Sequence, residues 1–145
     1  MTLSRRLVLA APGLVLLPAP GRADQLRLAA ALRDFTGGQP MREGRVRLDV
    51  SPLVENGNAV PISVTVETPM TAADHVRRIG VFNERNPQPN VIIAQFGPRA
   101  GRAYLATHIR LATSQDLVAV AEMSDGSFWS QRVMVVVTLA ACVEG

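Results

Sequence analysis

Alternation of apolar and polar residues over 46–50 and 60–66 is the feature that most constrains the fold. Side chains of a strand point to its two faces in turn, so each segment can bury one face and expose the other. An Asp125-Gly126 pair also predicts a hairpin turn. Further strand candidates, separated by turn signals, are residues 75–82, 91–96, 102–111, 117–123 and 128–139. Seven short strands of this kind predict an all-β fold, an immunoglobulin-like antiparallel β-sandwich.

One short helix is expected before the strands. Apolar residues recur at helical spacing over residues 24–35, with Asp24 placed to cap the start and Gly37-Gly38 placed to end it. Residues 36–44 contain three Gly and one Pro, which is typical of a linker. The sequence therefore predicts a short N-terminal helix and linker over residues 24–44.

Residues 1–23 have the three-part layout of an export signal. Arg5 and Arg6 precede an apolar run of 14 residues, and the small residues Gly21 and Ala23 follow that run. The run is too short for a membrane span, which needs about 20 apolar residues. An ordinary buried helix is the alternative, but the flanking residues favour a cleaved peptide. The Arg pair is typical of twin-arginine export, so we expect a periplasmic protein cleaved after Ala23.

The charge balance excludes a basic nucleic-acid binder. The formal net charge is +3, yet all 15 basic residues are Arg and three of them lie in residues 1–23. Without that segment, 12 Arg oppose 12 acidic residues, so the mature chain has no excess positive charge for a phosphate backbone. A single Cys also excludes a scaffold of intramolecular disulfides.

The chemistry is concentrated in that single thiol, Cys142. Fully extended, the residues after Thr138 would place the sulfur roughly 13 Å from the sheet, at about 3.3 Å per residue, which suits a tether. A frayed terminus without a role is the alternative. Ala141 and Val143 beside the thiol are apolar and Glu144 is acidic, so nothing nearby favours the thiolate. This argues against a thiol enzyme, such as a peroxide-reducing or disulfide-exchanging protein.

Metal chemistry is not indicated. The two histidines, His75 and His108, are 33 residues apart and belong to no Cys pair or His-rich motif. We therefore predict neither a metal site nor a cofactor.

From about Ala30 to the C-terminus the sequence resembles the SoxY family of sulfur-substrate carriers. Several stretches together form the resemblance, and their combination is more specific than any one motif. They are residues 54–62 (VENGNAVPI), 69–76 (PMTAADHV), 86–89 (NPQP), 107–112 (THIRLA) and 118–128 (VAVAEMSDGSF).

The resemblance implies a periplasmic, non-enzymatic carrier of the thiosulfate-oxidising system, paired with SoxZ, a small β-sandwich subunit. Cys142 matches the carrier position, at which the family binds its substrate covalently. In such systems a haem c-type enzyme couples thiosulfate to the arm, a manganese-dependent hydrolase removes sulfate, and a molybdenum dehydrogenase oxidises the remaining sulfur. The charge balance and the short apolar run predict no nucleic-acid partner and no membrane span.

The tail departs from the family pattern. The family ends in Gly-Gly-Cys-Gly-Gly, whereas residues 140–145 read AACVEG and should be stiffer and bulkier. A SoxY-like scaffold that pairs with a SoxZ-like partner without carrying sulfur is therefore the alternative function. The expected organisation is a signal peptide over 1–23, the helix and linker over 24–44, the sandwich over 45–139 and a carrier arm over 140–145.

Overall fold

The structure, a computed structural model, describes residues 20–141. The signal segment up to residue 19, with Arg5 and Arg6, lies outside the described residues, as does Cys142. One helix and nine strands follow one another along the described chain. They are α1 (Pro20–Thr36), β1 (Met41–Glu43), β2 (Val46–Asp49), β3 (Leu53–Val54), β4 (Val60–Val66), β5 (Val76–Asn83), β6 (Asn90–Gln95), β7 (Tyr104–Ile109), β8 (Gln115–Met123) and β9 (Phe128–Val137).

Two sheets form a β-sandwich, which confirms the predicted fold class. The small sheet has the antiparallel order β2-β4-β7. The large sheet has the order β1-β9-β8-β5-β6, and β9, β8, β5 and β6 are antiparallel neighbours. The short strands β1 and β3 both pair with β9 and run parallel to it, β1 along its beginning and β3 along its end.

The alternation in the sequence corresponds to the two faces of the small sheet. Val46 and Leu48 of β2 are buried while the residues between and after them are exposed, and β4 alternates in the same way. In contrast, β8 is buried along almost its whole length. The difference arises because the large sheet is covered on both faces, by the small sheet and by α1.

A second apolar cluster fixes α1 to the outer face of the large sheet. Leu28, Leu32 and Phe35 pack with Phe82 and Val120, among others. The ring of Phe35 meets that of Phe82 edge to face, with centroids 5.4 Å apart. No helix in the described part of the chain is long and apolar enough to cross a membrane.

Arg78 of β5 holds the C-terminal end of this helix. Its guanidinium lies 4.3 Å from the Phe35 ring centroid and donates a hydrogen bond of 3.0 Å to the Phe35 carbonyl. It also pairs with Glu122 on the neighbouring strand β8. Because the last carbonyls of a helix lack partners within the helix, this cation satisfies one of them.

The predicted helix start was wrong. The helix begins at Pro20, so Asp24 lies inside it and forms an ion pair with Arg27, three residues further on, in place of a cap. Proline suits the first turn of a helix because its missing N–H needs no partner there. The predicted end was correct, since Gly37 and Gly38 both have positive φ.

The predicted linker over residues 36–44 contains strand β1, and β3 was also missed. Both strands are too short to show a period of two. Their pairing partner, β9, lies more than eighty residues away in the sequence. Local composition therefore gave no signal for either strand.

The hairpin predicted at Asp125-Gly126 joins β8 to β9. Gly126 has a φ of 84° and donates its N–H to the Met123 carbonyl at 3.0 Å. The Asp125 carboxylate accepts hydrogen bonds from the Ser127 hydroxyl (2.6 Å) and the Ser127 N–H (2.9 Å). These bonds hold the pKa of Asp125 below its ordinary value.

Replacing Phe35 with Ala should detach the helix from the sheet. Because Phe35 is buried between two aromatic rings, we expect a loss of about 3–5 kcal/mol in the free energy of unfolding, measured by urea denaturation. The control is Leu26→Ala on the exposed side of the same helix, which should change it by less than about 0.5 kcal/mol. Equal losses in both variants would contradict this packing.

Asp125 should report on the hairpin through its titration. A folded-state pKa below the ordinary value of 3.8 means that the carboxylate stabilises the hairpin above that pH and stops doing so as the pH falls through the lowered pKa. Carboxyl chemical shifts should show that Ser127→Ala raises the pKa of Asp125, since the Ser127 hydroxyl is its main cause. An unchanged pKa would refute this assignment.

Candidate functional site

The structure describes the chain up to Ala141, the residue immediately before the predicted carrier residue Cys142. Consecutive Cα atoms are about 3.8 Å apart across a trans peptide, so whatever fixes Ala141 also fixes the point to which residue 142 is joined. The contacts of Ala141 therefore define the candidate site.

Three backbone segments meet at this point and form what we call the C-terminal clasp, made of Gly57, Leu111, Leu139 and Ala141. Gly57 donates its N–H to the Leu139 carbonyl at 2.8 Å and accepts the Leu111 N–H at 2.8 Å. Leu111 in turn accepts the Ala141 N–H through its carbonyl at 3.1 Å. Leu111 is fully buried and Ala141 is 7% exposed.

The clasp requires glycine at position 57. A Cβ atom there would lie 2.4 Å from the Leu111 carbonyl oxygen, 3.0 Å from the Ala141 nitrogen and 3.1 Å from a Val137 methyl group. Two of these three atoms belong to the backbone, which cannot rotate away as the end of a long side chain can. Gly57 therefore permits the three segments to approach this closely.

The segment leading to the clasp is bound along its length. The Val136 N–H donates to the Pro52 carbonyl at 2.9 Å, and the Thr138 N–H donates to the Val54 carbonyl at 3.0 Å. The Thr138 hydroxyl adds a hydrogen bond of 3.2 Å to the Glu55 carbonyl. The sequence had predicted an extended tether that begins after Thr138. The segment is instead bound, because β3 and the turn after it supply hydrogen-bond partners, and the residues at the end of β9 do not by themselves indicate these partners.

Asn86 positions the Leu111 side of the clasp. Its amide donates to the Arg110 carbonyl at 2.7 Å, and its carbonyl oxygen accepts the Ala112 N–H at 2.9 Å. One side chain thus pairs with the backbone on both sides of Leu111, as a neighbouring strand would. The fully buried Gln115 donates to the same Asn86 oxygen at 2.8 Å and accepts the Arg85 N–H at 2.8 Å.

The two histidines are not brought together. His75 precedes β5 and its ring nitrogen bonds to the Thr71 carbonyl at 2.9 Å, near the β8–β9 hairpin. His108 lies on β7 opposite Pro61, toward the clasp. Within residues 20–141 there is no group of three or more His, Cys, Asp or Glu side chains that could hold a metal ion.

The sequence predicted the thiol of Cys142 as the site, which stays a prediction, and gave no indication of the residues that hold Ala141 before it. From the sequence, Gly57 and Asn86 could be interpreted only as turn residues. Their roles depend on partners that are distant in sequence, so composition of the turns gave no direct signal. A hint was available, because both residues fall within the stretches 54–62 and 86–89 that form the family resemblance.

A match to the sequence model of one protein family shows which family this chain belongs to. The sequence model of the family described as "Sulfur oxidation protein SoxY" matches residues 32–142, most of the chain. The chain belongs to the SoxY family. Comparison with curated protein sequences yields no match.

Solved structures agree with the SoxY assignment at the level of the fold. The sulfur carrier protein SoxY from Chlorobium limicola f thiosulfatophilum superposes with a TM-score of 0.67 at 24% identity, covering 79% of this chain and 99% of that one. A superoxide reductase (neelaredoxin) variant from Ignicoccus hospitalis gives a TM-score of 0.58 at 18% identity, covering 72% and 90%. A putative superoxide reductase from Thermotoga maritima gives 0.54 at 22% identity, also covering 72% and 90%. At these identities the likeness concerns the fold alone.

Three of the SoxY-like sequence stretches meet at the clasp. Residues 54–62 supply Gly57, residues 86–89 supply Asn86, and residues 107–112 supply Leu111. Segments far apart in sequence thus converge on the backbone that precedes Cys142. The clasp is therefore the candidate functional site of this SoxY-family chain.

Substituting Gly57 with Ala should disrupt the clasp. The new methyl group would overlap backbone atoms, so we expect a loss of about 1–3 kcal/mol in stability and faster amide exchange at Ala141, measured by NMR. Gly97→Ala is the matched control, since a Cβ there meets nothing within 4 Å. Unchanged exchange at Ala141 in the Gly57 variant would contradict the close approach.

Proposed function

We propose that this chain is a periplasmic sulfur carrier of a thiosulfate-oxidising system, and that Cys142 is the residue to which sulfur intermediates are attached. The observation that supports this most strongly is the extent of the family match, which runs from residue 32 to Cys142 itself. The related Chlorobium SoxY, described as a sulfur carrier protein, shares the fold. The chain would act as a covalent substrate carrier and not as an enzyme.

The proposed chemistry needs an external oxidant. Thiosulfate joins the Cys142 thiol through a new S–S bond, giving Cys142–S–S–SO₃⁻, with release of one proton and transfer of two electrons to a haem c-type enzyme. A manganese-dependent hydrolase then adds water across the S–SO₃⁻ bond and releases sulfate, leaving a persulfide on Cys142. A molybdenum dehydrogenase oxidises that remaining sulfur.

The clasp suits this role by defining a fixed base for a short tail. Because Ala141 is hydrogen-bonded to the body, the tail available to enter a partner enzyme begins at Cys142 unless the clasp opens. Tethering replaces diffusion of the intermediate by a high local concentration at each enzyme. The tail of this chain, AACVEG, is bulkier than a Gly-rich arm, so opening at Ala141 would extend its reach.

A SoxZ-like β-sandwich subunit is the proposed stable partner. The large sheet exposes apolar side chains next to the segment that leads to the clasp. Leu53 and Val136 are direct neighbours in the sheet, Met134 lies on the same face, and the three are 45–56% exposed. Grouped apolar side chains on a surface mark interaction sites, so a partner subunit here would remove them from water.

Export and processing complete the proposal. Residues 1–23 would direct the chain through the twin-arginine pathway and be removed after Ala23. The described helix is compatible with this cleavage, because Arg22 and Ala23 are exposed and the first buried side chain of α1 is Leu28. The mature domain would then comprise a helix and linker over 24–44, the sandwich over 45–139 and the arm over 140–145.

The altered tail favours one second candidate, a scaffold that pairs with the SoxZ-like subunit without carrying sulfur. Ala141 is buried in the clasp, where it contributes to the body of the domain whatever follows it. A chain selected only for pairing would retain this contact and could lose the thiol without consequence. The two functions therefore differ in their dependence on Cys142.

Replacing Cys142 with Ser should abolish carrier function while the protein still folds. In a strain whose only carrier is this chain, thiosulfate-dependent sulfate production should fall to the level of a carrier-free strain, because a serine oxygen cannot form the S–S bond. Ala140→Ser is the control, since it adds the same hydroxyl to an exposed neighbour and leaves the thiol intact.

Deleting residues 142–145 separates the two candidates. A scaffold would keep its function, because the deletion leaves the clasp complete, whereas a carrier would lose it. Full sulfate production by either the deletion or the Cys142→Ser variant would refute the carrier proposal and support the scaffold.

A further inference from the structure

A polar groove of about 430 Å³ lies beside the clasp. It is lined by residues of β6 and β7, which are the last strands of the large and the small sheet, and by the loop between β5 and β6. The groove therefore occupies the open edge between the two sheets. Val91, Ile92 and Ile109 give it apolar walls.

The polar lining combines the guanidinium of Arg110 and the imidazole of His108 with four amide side chains and the Thr107 hydroxyl. His108 on β7 and Arg110, the residue after β7, line the groove, as do the amide residues Gln88 and Asn90 at the β5–β6 loop and the start of β6. Among residues 20–141, none of the groove-lining residues is acidic. A neighbouring groove of about 580 Å³ on the outer face of the small sheet, which shares His108, differs because Asp49 lines it.

These donors are not used by the described fold. Within residues 20–141, the side chains of His108, Arg110, Gln88 and Asn90 form no hydrogen bond or ion pair. Asn86 is different, because its amide donates to the Arg110 carbonyl and accepts from the Ala112 N–H and the Gln115 side chain. A guanidinium offers several N–H donors in a plane that matches two oxygens of an oxyanion, and an imidazole and amides can satisfy further oxygens.

The groove is connected to the attachment point by the chain itself. Arg110 is followed directly by Leu111, whose carbonyl holds the Ala141 N–H at 3.1 Å, and Ala141 is followed by Cys142. The carbonyl of Arg110 is fixed in turn by the Asn86 amide at 2.7 Å. A group attached to residue 142 is thus joined to Ala141, and Ala141 is hydrogen-bonded to Leu111, the residue that follows Arg110.

From this arrangement we propose that the groove binds a small tetrahedral sulfur oxyanion, with the Arg110 guanidinium as the principal contact and His108 as the second. The anion is free sulfate or thiosulfate, or the terminal sulfonate of a thiosulfonate linked to Cys142. Only the linked source rests on the proposed carrier function. Binding of the free anion depends on the groove alone.

The first test uses the full chain with Cys142→Ser, so that no covalent adduct can form. Sodium thiosulfate and sodium sulfate are titrated in separate samples, at constant ionic strength against sodium chloride, and backbone amide shifts are followed by NMR. We expect saturable shifts at His108 and Arg110 with both oxyanions and no saturable shift with chloride. Arg110→Gln should weaken binding about tenfold or more, because it removes a charge-assisted contact.

Arg99→Gln is the matched control. Arg99 carries the same single positive charge as Arg110. It is exposed on the loop after β6 and does not line the groove. Its substitution should leave the affinity unchanged. Equal weakening by both substitutions would indicate a general charge effect and overturn the site.

The second test examines the linked source. Tetrathionate reacts with a thiolate to give the protein–S–S–SO₃⁻ adduct and free thiosulfate, which is removed by gel filtration. The wild-type adduct should shift Arg110 without added anion, and Arg110→Gln should abolish the induced shift at His108. If the Arg110 amide shift changed in neither test, the proposed anion site in the groove would be refuted. Saturable free-anion binding would keep it even if Cys142 proved to be unmodified in cells.

Discussion

The close approach of three backbone segments at Gly57 is the constraint on which the C-terminal end of the described chain depends. No side chain fits between position 57 and the Leu111 carbonyl, so the turn after β3, the segment after β7 and the end of β9 meet directly. Each segment satisfies a backbone group of another, which buried peptide groups require. The described chain therefore ends at a residue, Ala141, whose backbone is bonded to the body of the domain.

The rest of the fold supports this contact. Strand β9 reaches the clasp because it pairs with β8 along most of its length and with β3 at its end. Helix α1 covers the outer face of that sheet, and Arg78 ties the end of the helix to β5 and β8. Asn86 then joins the β5–β6 loop to the backbone on both sides of Leu111, whose carbonyl accepts the Ala141 N–H.

The periodicity of apolar residues was enough to predict the sandwich, but it could not predict the contacts of the candidate site. Alternation along β2 and β4 predicted their buried faces, and the Asp125-Gly126 pair predicted the hairpin, because both features are local. Strands β1 and β3 could not be predicted, since their pairing with β9 is distant in sequence. For the site, position and uniqueness led to the prediction of Cys142, which stays a prediction. The need for glycine at 57 becomes visible only when Leu111 and Ala141 are placed beside it.

The central claim is that sulfur is attached to Cys142 on a chain that begins at Asp24. The most direct measurement is the intact mass of the protein isolated from the periplasm of cells grown on thiosulfate, with and without reductant. We expect the mass of residues 24–145 plus a sulfur or thiosulfonate adduct that reductant removes. An unmodified thiol on that chain, purified with a small β-sandwich subunit, would contradict the carrier function and leave a scaffold.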